Sequence, residues 1–168
     1  RMEHRKLRFA LLGNIYQARK SASIQKVLSC LTNFGAELYV DMEYYYFLKD
    51  NQRLDVKATK IFHDDDFDAD FVISMGGDGT FLKAASRVGK KNIPILGVNM
   101  GRLGVLADIS PDDIEHCLTA LHNDDYAVES RALIQIEADG APLGDFSFAL
   151  NDVAILKRDT ASMISIRA

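Results

Sequence analysis

Five residues in the middle of the chain, Gly76-Gly77-Asp78-Gly79-Thr80, set an acid among three glycines, directly after the apolar run Phe71 to Met75. A strand that breaks into a tight glycine turn and restarts as a helix presents backbone N–H groups to a phosphate. Glycines remove the Cβ atoms that would hold a polyphosphate away, and they permit positive φ. The carboxylate separates this loop from an ordinary turn. An acid beside an anion site is repulsive unless it accepts a proton from a nucleophile or holds a metal ion. Asp78 is therefore the candidate catalytic residue, with Gly76, Gly77, Gly79 and Thr80 as candidate phosphate-holding residues. The competing role is a plain βα turn in which Asp78 N-caps a helix starting near Thr80.

Two familiar phosphate loops are excluded. A P-loop requires Gly-Lys followed by Ser or Thr, which this stretch lacks. A dinucleotide fingerprint requires a third glycine where Leu82 stands.

A second glycine-rich turn, Gly97 to Leu106, also leaves a strand directly, Ile95 to Val98 after Pro94. Loops at the carboxyl ends of strands line the crevice of an open α/β sheet, so the two turns are expected to form facing walls of one site. Asn99 carries both a donor and an acceptor there, although a turn that only steers the chain is equally open. Lys83, one turn into the expected helix, either reaches a phosphate or faces water. A third polar feature, Asn151-Asp152, interrupts an apolar run from Phe148 to Leu156. It is either a β-turn or a pair of hydrogen-bonding groups aimed into a cleft.

The elements that must position these residues follow in order. Leu7 to Leu12 reads as a buried strand, and Ser21 to Phe34 as a helix stopped by Gly35. Ala36 to Val40 is a second strand, and the aromatic stretch Tyr44 to Leu48 a short helix. Residues 50 to 63 carry no clear pattern. The acidic run Asp64 to Asp70 reads as a solvated approach to the next strand rather than a calcium loop, whose glycine spacing is missing. Thr80 to Val88 is the helix after the central loop, and Ser110-Pro111 starts another that runs to about Leu121. From Tyr126 the pattern turns to β, with a hairpin signal at Asp139-Gly140. An α/β domain over 1–124 is thus expected to hand over to the first strands of an antiparallel all-β domain over 125–168. That second region is thin and has little core of its own.

At 168 residues, with a net charge of −4 and a pI near 5.5, the chain is not built for nucleic acid or an anionic membrane. No apolar stretch approaches a membrane span, and there is no apolar leader. Cys30 and Cys117 fall on separate helical patterns and read as reduced core residues, which suits a cytoplasmic protein. Four scattered histidines give no zinc spacing.

Three motifs together resemble the NAD kinase family: Gly76 to Thr80, Gly97 to Leu106, and Ala149-Leu150-Asn151-Asp152-Val153. The first alone is shared with diacylglycerol and sphingosine kinases, and a near relative occurs in phosphofructokinases. The resemblance implies a Rossmann-like, phosphofructokinase-like parallel sheet. It implies transfer of the ATP γ-phosphoryl, with Mg²⁺ or another divalent ion, to the 2′-hydroxyl of the adenosine ribose of NAD, giving NADP. Asp78 then matches the acid that takes the hydroxyl proton. Asn151 and Asp152 match the pair that hydrogen-bonds NAD, and Lys83 a position often basic. Leu82 and Val105 match the apolar groups near adenine, Val105 replacing a usual Phe. The family is typically a homodimer or homotetramer. Its later threonine-rich loop has no counterpart here, so the chain is expected to be the N-terminal domain with a truncated C-terminal one, inactive by itself. The alternatives are another kinase of this loop type, acting on a lipid or sugar alcohol, and a nucleotide-binding fragment without transfer.

Overall fold

The computed structural model describes residues 6–16, 21–102, 104–135, 137–138, 141–142, 148–149 and 157–166. Side-chain surroundings are not described for 131–161. Four apolar runs give the central strands β1 (Arg8–Gly13), β2 (Glu37–Asp41), β4 (Phe71–Gly76) and β5 (Ile95–Asn99), with a short β3 (Lys60–Phe62) at the edge. All five pair in parallel, in the order β3-β2-β1-β4-β5. The chain starts in the middle with β1, builds outward through β2 and β3, then returns to lay β4 and β5 on the other side. Strand order therefore reverses between β1 and β4, which opens a crevice at their carboxyl ends.

Both faces of this sheet are covered, and alternation along each strand decides which residue goes where. Phe9, Leu11, Val40, Ile73, Met75, Leu96 and Val98 point to one face. Against them pack α1 (Ser21–Asn33), through Ile24, Val27, Leu28 and Leu31, and α4 (Ile114–His122), through Ile114, Cys117, Leu118 and Leu121. Ala10, Leu12, Val72 and Ile95 point to the other face, under α3 (Asp78–Val88), which contributes Phe81, Leu82, Ala84, Ala85 and Val88. Each fully buried Leu, Ile or Phe contributes roughly 1.5–3 kcal/mol, so these two layers hold the strand ends in place.

The helices stop where their sequences require. α1 ends before Gly35, which adopts φ +78°. Asp41, the last residue of β2, caps α2 (Met42–Tyr46), its Oδ2 accepting from the Tyr44 N–H at 3.1 Å. One π-helical turn, Phe47–Asn51, continues from α2 and buries Leu48. Ser110 caps the 3₁₀ turn Pro111–Asp113 that leads into α4.

The acidic run before β4 divides. Asp66 is exposed, but Asp70 clamps the start of β1, accepting from the Arg8 N–H at 2.8 Å and from its guanidinium at 3.4 Å, while Asp68 takes the same guanidinium at 3.2 Å. Asp70 and Asp68 hold the Arg8 pKa above its usual range.

From Tyr126 the strands are antiparallel. β6 (Tyr126–Gln135) pairs with β10 (Lys157–Ile166) along their full length, and β9 (Phe148–Ala149) pairs with β6. β7 (Glu137–Ala138) and β8 (Ala141–Pro142) form a separate two-stranded ribbon. β10 also pairs in parallel with β5, at Met163 and Ile95, so the large sheet continues β5-β10-β6-β9 to eight strands. The expected hairpin turn Asp139-Gly140 lies outside the described residues.

Candidate active site

The crevice predicted by strand order is a cleft of ≈ 580 Å³. Leu12 to Tyr16, at and beyond the end of β1, and Asp41 and Glu43, at and beyond the end of β2, form one wall. Gly77 to Thr80 with Lys83, Ala84 and Arg87 of α3 form the other, and Arg102 and Gly104 of the second glycine turn close the end. Such a volume suits a ligand of nucleotide size.

Two backbone hydrogen bonds tie neighbouring strand ends together, and a third opens α3. The Asn14 N–H donates to the Met75 carbonyl at 2.9 Å, Met100 N–H to the Gly76 carbonyl at 3.0 Å, and Phe81 N–H to the Gly77 carbonyl at 3.0 Å. Gly77, not Asp78, is the N-cap of α3, and Asp78 is the first helical residue. The Asp78 carboxylate is thus released from capping and reaches across to the second glycine turn. Its Oδ1 accepts from the N–H groups of Leu106 at 3.0 Å and Ala107 at 2.9 Å, and its Oδ2 from that of Val105 at 3.0 Å. An ionised carboxylate has about four lone-pair positions. Three are filled, which fixes the orientation and leaves one acceptor position on Oδ2.

Close approach demands glycine at Gly104 and Gly97. A Cβ on Gly104 would lie 2.6 Å from the Asp78 Cγ, and one on Gly97 would lie 2.7 Å from the Ala107 Cα. At Gly77, which lines the cleft, an added Cβ would meet no atom within 4 Å. Gly13 lies against the buried Tyr44 ring, which leaves no room for a Cβ there. Burial pushes the Tyr44 hydroxyl above its ordinary range, so it stays neutral.

The remaining sequence candidates lie at different depths. Thr80 and Lys83 line the cleft. Leu82 is buried in the layer beneath α3, and Val105 is 65% exposed at the outer turn. Asn99 is buried and directed into its own turn: its Nδ2 donates to the carbonyls of Arg102 and, at 3.0 Å, Ala107, while its Oδ1 accepts from the Gly101 N–H at 2.7 Å. It holds the shape of the turn that orients Asp78. Asn151 and Asp152 lie outside the described residues.

Sequence reasoning passed over Asp41, Glu43, Arg87 and Arg102. Arg87 stands one turn after Lys83 on the same helix face, a spacing that was readable. Its guanidinium donates to Asp41 Oδ1 at 2.8 Å, to Asp65 Oδ1 at 3.2 Å and to the Asp64 carbonyl. Among the described residues no group of three or more His, Cys, Asp or Glu is arranged to hold a metal ion, and no helix is long and apolar enough to cross a membrane.

A family model, the ATP-NAD kinase N-terminal domain, matches residues 11–126. A NAD kinase of Bacteroides fragilis is 51% identical over 161 residues, covering 96% of this chain and 56% of that protein. A NAD kinase of Porphyromonas gingivalis is 36% identical over 161 residues, with 96% and 55% covered. The chain spans about half the length of the curated relatives it matches. Among solved structures, yeast NADH kinase complexed with NADH shares the fold with a TM-score of 0.61 at 12% identity, over 82% of this chain and 45% of that one. The family match spans both glycine turns and the switch-point cleft between β1 and β4, and on that evidence the chain belongs to the NAD kinase family.

Proposed function

We propose that the protein to which this chain belongs transfers the γ-phosphoryl of ATP to the 2′-hydroxyl of the adenosine ribose of NAD, producing NADP. The observation that carries this reading is the Asp78 carboxylate at the first turn of α3. It is oriented by three N–H groups, has one acceptor position to spare, and lies beside glycines that leave room for phosphate.

Phosphoryl transfer asks little covalent help of a protein, and positioning and charge compensation lower most of the barrier. The start of α3 with Gly76, Gly77, Gly79 and Thr80 offers N–H groups and partial positive charge to the donor phosphates. Lys83 and Arg102 add positive charge along the cleft. The spare position on Asp78 takes the proton of the attacking hydroxyl, worth roughly 10²–10⁴ in rate. Asn99 keeps the turn over Asp78 in shape, while Asn151 and Asp152 hold the NAD acceptor. Leu82 and Val105 supply the apolar surround of the adenine.

Mg²⁺ is usually bound through substrate phosphates with one or two protein carboxylates, not by a protein cage. An ion held mainly by the substrate phosphates would screen their charge in this cleft, leaving the spare position of Asp78 for the hydroxyl proton. The α/β part over 1–124 binds ATP and NAD, and the strands from 125 onward begin the all-β domain that follows. Assembly as a cytoplasmic homodimer or homotetramer belongs to the same reading.

The test is NADP formation from NAD and ATP–Mg²⁺ by the longest natural form of the protein, with Asp78→Asn in parallel. NADP from the parent and not from the variant supports both the reaction and the proton acceptor. No NADP from a folded parent would overturn the choice of acceptor.

A further inference from the structure

We infer that the β1–β2 end of the cleft reads the ribose of the phosphoryl donor, with Asp41 as the specificity-determining residue. The assignment rests on the kinase reading for the identity of the donor. The glycine loop of Gly77 to Thr80 has two sides. One faces the second glycine turn, through the Asp78 carboxylate and the Met100 N–H, and the kinase reading gives that side to the acceptor. The other faces the cleft, which runs from Asp78 past Lys83 and Arg87 to Asp41, Glu43 and the loop after β1. A nucleoside triphosphate with its terminal phosphate at Asp78 therefore lays its nucleoside toward Asp41.

Asp41 is built to meet a sugar diol. It ends β2, next to the strand-order reversal, where an open α/β sheet offers an acid to ribose hydroxyls. Its side chain is 14% exposed. Its Oδ2 already takes the Tyr44 N–H at 3.1 Å and its Oδ1 the Arg87 guanidinium at 2.8 Å, which fix the carboxylate plane. One lone pair remains on each oxygen, enough for two neighbouring hydroxyls. The Arg87 charge offsets that of Asp41, so the acid does not repel the phosphates further along the cleft. Glu43 follows two residues later on the same wall, and Tyr16, 78% exposed at the lip, offers the base a face.

The test is equilibrium titration of the longest natural form with ATP and with 2′,3′-dideoxy-ATP, each with Mg²⁺ and without NAD. Asp41→Ser is titrated alongside, because serine preserves the N-cap of α2 while withdrawing the diol acceptor. The parent is expected to bind the dideoxy donor about tenfold or more weakly, the size of one lost hydrogen bond to a charged group. In Asp41→Ser that discrimination falls to about twofold. Equal binding of both donors by the parent overturns the assignment, with no variant needed. So does failure of the parent to bind ATP, or a variant that weakens both donors by the same factor. NADP synthesis is measured separately. Its absence with donor discrimination intact sinks the choice of acceptor and leaves the ribose contact standing.

Discussion

Gly104 exists to make room for Asp78: an added Cβ there would lie 2.6 Å from the carboxylate carbon. The two glycine turns are therefore one unit, joined through a single side chain and three backbone N–H groups. Gly104→Ala is expected to lower stability by about 1–3 kcal/mol, the range for overpacking. It should also lower kcat far more than the KM for ATP, since the phosphate loop keeps its own shape. Denaturant unfolding and steady-state kinetics check both; wild-type kcat in the variant would break the link.

Asp78→Asn separates chemistry from architecture. Asparagine keeps one carbonyl oxygen, which can still accept from Leu106 and Ala107. The N–H that loses its partner belongs to Val105, which is 65% exposed and can turn to water. Little stability is lost, and kcat falls about 10²–10⁴-fold or more. A thermal melt within a few degrees of the parent, together with lost turnover, is the expected pair of results.

Two neighbouring glycines should respond oppositely to alanine. At Gly76 the new Cβ would lie 2.7 Å from the Thr80 Cβ, so Gly76→Ala destabilises the loop itself. At Gly77, which lines the cleft, the Cβ meets no protein atom, so Gly77→Ala is expected to fold normally and to weaken ATP by about tenfold or more. Melting temperature and ATP titration, read side by side, distinguish the two. Equal ATP affinity in Gly77→Ala would mean that phosphate does not approach this loop.

The buried acids set the alkaline limit. Burial, aided by the negative charges of Asp113 and Asp108, pushes the Cys117 thiol from its ordinary 9.0 up to about 11, and burial raises the Tyr44 hydroxyl further. Above pH 9 the unfolded chain loses the Cys117 proton while the folded chain keeps it. The folded state then binds more protons, and stability falls as pH rises from about 9 toward 11. Cys117 is also 3% exposed, whereas Cys30 is only partly buried. Thiol labelling of the native protein at pH 8 should therefore modify Cys30 first, and faster labelling of Cys117 would contradict the packing.

Most of the framework was legible. Nearly unbroken apolar runs in β1, β4 and β5, and helical spacing in α1, α3 and α4, are strong signals because both sheet faces are covered. The meeting of two glycine turns followed from strand ends alone. The fate of Asp78 did not, since its partners are backbone N–H groups twenty-seven to twenty-nine residues away that no side-chain pattern encodes. β3 escaped notice because its three residues include exposed Lys60 and Ile61. Asp41 and Arg87 were passed over, because their pairing spans 46 positions and depends on strand order.

That order has a consequence for the chain as it is synthesised. β10 docks on β5 from residues 157–166, more than sixty positions after Ile95 has left the ribosome. Until then the Ile95 end of β5 is an open sheet edge of unpaired N–H and C=O groups, buried apolar residues beside it. Parallel pairing at such separation is slow because loop closure precedes any gain. The interval between translation of β5 and arrival of β10 is thus the period when nascent chains are most prone to associate with each other.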